Sequence, residues 1–190
     1  MFDPTAFENM KTVMEGAIYD KDLEGKIAIL DRNDILNSSK LAREYSISFA
    51  LKNQENAVMT FRLFAGIRNL AGELLAIKNL EQEVGCAIAV EMVVNHANEP
   101  SVYLILEELL KGIWGNKREI KQEIRLNPYS PPTTVENHVS IMFNRLITED
   151  QMDDLVVMVD YMEETLQLIE ENTIFSSFGV SKKFRNKNPG

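Results

Sequence analysis

Apolar and polar residues alternate along the chain with two periods, and the switches between them outline the elements. Phe7, Met10, Met14 and Ala17 recur at helical spacing behind Asp3-Pro4. Asp can cap a helix and Pro fits its first turn, so a helix is expected from there to about Tyr19. Lys26 to Asp31 is a short apolar run read as a strand, and Arg32-Asn33-Asp34 reads as a turn. Tyr45, Ile47, Phe49 and Leu51 then alternate against Glu44, Ser46, Ser48 and Lys52. That is a strand with one face on a core and one in water. After the polar turn Asn53-Gln54-Glu55-Asn56, the residues Ala57, Met59, Phe61 and Leu63 form its hairpin partner.

From Gly66 the period lengthens. Ile67, Leu70, Leu74, Ile77, Leu80 and Val84 predict a helix over 66–83, interrupted by Gly72 and followed by Gly85 as its capping glycine. Cys86 to His96 is the next strand, with Ile88, Val90, Met92, Val94 and His96 on one face. Its other face is mixed, as in a central strand. Asn98 is expected to cap a helix carrying Val102, Leu106, Leu110 and Ile113, closed by Gly115. Arg118 to Leu126 alternates charged with apolar residues. Pro128, Pro131 and Pro132 mark a loop, and Val135 to Ile147 is a long strand. Thr148 and Gln151 match a capping box, ahead of Met152, Leu155, Val159, Met162, Leu166 and Ile169 at strict helical spacing.

The order α-β-β-β-α-β-α-β-β-α predicts an α+β fold, an antiparallel or mixed sheet with amphipathic helices on one face. One domain is expected over 1–172, with candidate halves 1–84 and 85–172, and 173–190 as a basic, loosely ordered tail. The halves carry a weak likeness. Tyr45-Ser46-Ile47-Ser48-Phe49 lies against Val139-Ser140-Ile141-Met142-Phe143, each segment downstream of a helix. Duplication of an α-β-β unit is one reading. Two strands that must both alternate explain the likeness equally.

Composition narrows the class. The chain has 190 residues, 45% hydrophobic and 26% charged, which suits a globular protein that buries about 70% of its surface. Its net charge is −9, from 20 basic and 29 acidic residues. That sign disfavours a phosphate backbone as partner. The imbalance is uneven: Lys182, Lys183, Arg185 and Lys187 follow Glu171, and no carboxylate does. An acidic body suits a basic partner or serves solubility. A single cysteine, Cys86, excludes an internal disulfide. The sequence Met1-Phe2-Asp3-Pro4 opens without a basic region, and no apolar run reaches the ~18 residues of a membrane span. A cytoplasmic protein is expected, with no membrane or nucleic-acid partner.

Candidate chemistry is sparse. The phosphate-binding, nucleophile-elbow and His-Glu-x-x-His motifs are not found. Glu136 and His138 share a strand face. With His96 they form a two-His, one-carboxylate set, if their strands are neighbours. A histidine hydrogen-bonded in a core is the plainer reading of His96. Asn98 follows His96 in a polar strand-to-helix turn, a place where ligands bind free helix N–H groups. Tyr45, Phe49, Trp114 and Phe143 are candidates to line a cleft between the halves, or simply to fill a core. The ligand-binding candidates are therefore His96, Asn98, Tyr45 and Trp114, and no catalytic residue and no cofactor is assigned. Met-rich apolar stripes suit a groove, a dimer seam or core filling.

Three readings follow. The first is a non-enzymatic acidic interaction or regulatory protein of chaperone, antitoxin or adaptor type, homodimeric and with a protein partner. The second is a small-ligand-binding β-α-β-β module with a cleft between two halves. The third is an enzyme or metal-binding protein built on His96, Glu136 and His138.

Overall fold

The computed structural model describes residues 5–54, 56–69, 71, 85–126, 128–129 and 132–175. Within them the chain forms α1 (Thr5–Leu23), β1 (Ile27–Asn37), β2 (Ala42–Leu51), β3 (Ala57–Ala65), β4 (Cys86–Ala97), α2 (Pro100–Trp114), β5 (Glu119–Ile124), β6 (Thr134–Ile147) and α3 (Met152–Glu171). The strands make one antiparallel sheet in the order β1-β2-β3-β4-β6-β5. The fold is α+β, as the pattern predicts. The α-β-β stretches α1-β1-β2 and α2-β5-β6 occupy opposite edges of the sheet, and β3 and β4 join the halves at its centre.

The helices share one face of the sheet, where their apolar stripes meet the inward positions of the strands. Phe7, Met10, Met14 and Ile18 of α1 are wholly buried. So are Leu106 and Leu110 of α2, Leu155, Val159, Met162 and Ile169 of α3, and Tyr45, Ile47, Phe49, Met59, Phe61, Leu63 and Val90 of the strands. Burying such side chains stabilises the fold by roughly 2 kcal/mol each before entropy is counted. The strict spacing of α3 serves its packing on its own sheet, and the buried methionines fill this core. Cys86 is buried as well. Trp114 hydrogen-bonds from Nε1 to Thr165 Oγ1 at 3.0 Å and so fixes α2 on α3.

Several boundaries differ from expectation. The stretch Arg32-Asn33-Asp34 is no turn: β1 continues through it to Asn37. Its polar side chains suit an edge strand and find partners there. Arg32 donates to Glu15 at 2.6 Å, Asn33 to Asp31 at 2.9 Å, and Asp34 accepts from Arg43 and Lys11. Helix α1 runs past Tyr19 to Leu23, because Lys21 ties its last turn to Asp160 at 2.7 Å and to the buried Glu163 of α3. The cap of α2 is Glu99, with Pro100 in the first turn. Asn98 instead accepts from Tyr103 Oη at 2.7 Å and donates to the Pro132 carbonyl at 3.3 Å. Gly115 closes α2 as expected, with φ of 84°. Gln151 Oε1 accepts from the Thr148 N–H at 3.4 Å in the expected box, which opens a 3-10 turn over Glu149–Gln151 ahead of α3.

Of the helix expected over 66–83, residues 67–69 and 71 are helical and the remainder lies outside the described residues. So does the tail beyond Phe175. Phe175 itself is fully buried, and Ile174 packs beside it on the core. No helix among the described residues is long and apolar enough to cross a membrane.

Candidate functional site

The residues singled out from sequence fall on both sides of the sheet. His96 ends β4 on the helix-covered face and is fully buried. Its Nδ1–H donates to the Ala97 carbonyl at 2.7 Å, and its Nε2 accepts from Asn137 Nδ2 at 3.0 Å. The carbonyl cannot donate, so this ring is the neutral Nδ1–H tautomer. Asn137 Nδ2 also donates to Gln122 Oε1 at 2.7 Å, and Gln122 Nε2 donates to the Tyr103 carbonyl at 3.0 Å. Asn137 Oδ1 is buried without a hydrogen-bond partner. Tyr103 lies edge-on to His96 at 4.9 Å, with Phe175 at 6.0 Å. Burial pushes the imidazole below the usual histidine range, and the bond to Ala97 opposes this only in part. His96 and Asn98 do meet, through Tyr103, where the buried imidazole borders the half-buried Tyr103 and Asn98.

Glu136 and His138 lie on the face of the sheet opposite α1, α2 and α3, as their spacing requires. The pairing places His96 against Val135, between the positions of Glu136 and its neighbours, so its side chain points the other way. The three residues are therefore not brought together. His138 Nε2 lies 3.0 Å from Glu136 Oε1. Among the described residues no group of three His, Cys, Asp or Glu is placed to hold a metal.

Tyr45 and Trp114 belong to separate parts of the core. Tyr45 is wholly buried on β2, its hydroxyl without a hydrogen-bond partner, and burial pushes its pKa up. Trp114 sits at the end of α2, with Phe143 at 5.9 Å and Tyr161 at 5.8 Å, both edge-on.

The face opposite α1, α2 and α3 carries a feature that single-strand patterns do not reveal. Register aligns Asp31, Ser48, Thr60, Glu91, Ser140 and Lys121 into one row across all six strands. Every member is polar. Ser48 and Thr60 share a hydrogen bond of 2.8 Å. Arg62, in the adjoining row, donates from Nε to Glu91 at 2.8 Å and from Nη1 to Glu44 at 2.5 Å. In the row on the other side, Glu123 stands opposite His138. Lys121 pairs with Glu123 at 2.6 Å, and this holds the Glu123 carboxyl below its usual range. Most of these residues, Lys121 and Glu44 excepted, line a shallow concavity of about 490 Å³. Asp31, Glu91 and Glu123 stand there with Arg62 and Arg125, and Arg62 is paired with Glu91. Such an arrangement offers a patterned polar surface. No family model, curated protein or solved structure matches this chain.

Proposed function

We propose that this chain is a non-enzymatic interaction protein of the cytoplasm, working as a homodimer, and that it receives a basic protein partner on the face of its sheet opposite α1, α2 and α3. The observation that supports the reading is the polar row across all six strands, which includes Glu91 and has Glu44, Glu123 and Glu136 beside it. Here the acids are held in place by Arg62, Lys121 and His138. A partner offering Lys or Arg side chains exchanges those internal pairs for intermolecular ones, with a gain in on-rate and specificity. At the corner of the same face Ile35, Phe64 and Ile67 are exposed and supply apolar contact beside the charges.

The test is native affinity purification with the wild-type chain and with Glu123→Lys/Glu136→Lys, two exposed substitutions expected to leave the melting temperature unchanged. A stoichiometric basic protein held by the wild type, released as salt rises and lost from the variant, supports the reading. Equal recovery by both chains overturns the assignment of the face. A stoichiometric small molecule or metal in the native mass spectrum, with no protein partner, overturns the function.

A further inference from the structure

The two edges of the sheet are unlike. The outer strand β5 is six residues long, and its charged Glu119, Lys121 and Glu123 alternate along it, a pattern that discourages further pairing. The outer strand β1 is 11 residues long, and Leu30, Ile35 and Leu36 are 39%, 54% and 55% exposed on it. A long edge with exposed aliphatic side chains is a template for another strand.

Parity and charge select what the edge pairs with. Beyond the irregularity at Leu30, the residues Asp31, Asn33 and Ile35 face away from α1, beside Ser48, Ser46 and Glu44, and Arg32, Asp34 and Leu36 face the side that carries α1, α2 and α3. If β1 meets β1 of a second copy across a two-fold axis, residues directly opposite must point to the same side. The axis then passes through a residue. Centred on Asp31, Arg32 or Asp34, it sets two like charges against each other. Centred on Asn33, it sets Arg32 opposite Asp34 of the second copy, twice. The side chain of Arg32 already leans on Glu15, and that of Asp34 on Arg43 and Lys11. The paired edges thus give an alternating ladder of charges from Glu15 through Arg32 to Asp34, Arg43 and Lys11 of the second copy. The Arg32 N–H, which donates to its neighbour Asp31 Oδ1 at 2.9 Å, is the kind of edge donor that a strand carbonyl takes over.

From this we infer that β1 pairs antiparallel with β1 of a second copy about Asn33, so that two sheets become one continuous twelve-stranded sheet. The inference rests on the homodimer reading above and gives that dimer its seam. Asn33 is exposed and Cys86 is buried, so Asn33→Cys adds one reactive thiol opposite its own symmetry mate, within disulfide reach.

The experiment combines light scattering of the wild type with mild oxidation of Asn33→Cys, Asp31→Cys and Ile35→Cys. Each variant is checked by its melting curve. The expected result is a wild-type mass doubled over 21.7 kDa, and a disulfide dimer from Asn33→Cys. Asp31→Cys and Ile35→Cys should not cross-link alone, but should do so when mixed, because these two positions face each other across the axis. A wild-type dimer with no Asn33→Cys cross-link overturns the seam and leaves the homodimer standing. A wild-type monomer overturns both. Cross-linking of all three variants alike shows random collision and overturns the register.

Discussion

His96 donates from Nδ1 to a carbonyl and accepts at Nε2 from an amide, so only the neutral imidazole fits its place. In the unfolded chain this group titrates near pH 6.5. In the folded chain burial holds it lower. The unfolded state therefore takes up the proton first. The stabilisation is present above about pH 6.5 and is lost as pH falls through that value toward the lower folded one. The melting temperature of the wild type should fall between about pH 7 and pH 5, and His96→Gln should flatten that slope. Equal slopes in the two proteins would place the acid loss elsewhere. The same residue shows how far a sequence carries a site. Its apolar neighbours Met92 and Val94 already mark it as a core residue. Its partner Asn137, and the Gln122 that holds Asn137, lie on other strands, and no spacing along the chain announces them.

At the scale of elements, the two structural glycines separate strain from space. Gly85 leads into β4 with φ of 117°, and an added Cβ would sit 2.4 Å from the Ile147 carbonyl oxygen. Gly115 ends α2 with φ of 84°, and an added Cβ there meets nothing within 4 Å. Gly115→Ala should therefore cost only the backbone term, about 1 kcal/mol, whereas Gly85→Ala should cost about 3 kcal/mol or more in urea denaturation. Similar losses for both would mean that Ile147 moves aside. The elements themselves were mostly legible. Alternation located β2, β3, β4 and β6, and the helical stripe and capping box located α3. Where the reading failed, at Arg32-Asn33-Asp34, the reason is physical. An edge strand has only one hydrogen-bonded neighbour and tolerates polar side chains on both sides, so its residues resemble those of a turn.

At the scale of the molecule, a sheet has two edges and two faces, and this chain treats each one differently. Helices cover one face, and the other carries the polar row. Alternating charges guard the β5 edge, and β1 presents aliphatic residues. If the charges on β5 block pairing there, replacing Glu119, Lys121 and Glu123 together by Thr opens a second edge. Sedimentation should then show concentration-dependent species larger than the dimer, because a chain with two open edges no longer closes into a pair. A triple variant that remains dimeric would show that the length of β5, and not its charge, is the protection.

Period, capping residues and net charge determine locally what each segment becomes, and the sequence displays them directly. They yielded the α+β class, the element order, the helix-covered face of most strands and the acidic character of the body. Tertiary structure alone decided which strands are neighbours and in what register. A shift of one residue turns every side chain to the other face, so register settles that His96 stands apart from Glu136 and His138, and that six polar residues from six strands form one row. That pairing depends on contacts between residues far apart in the chain, whose energies no local pattern encodes.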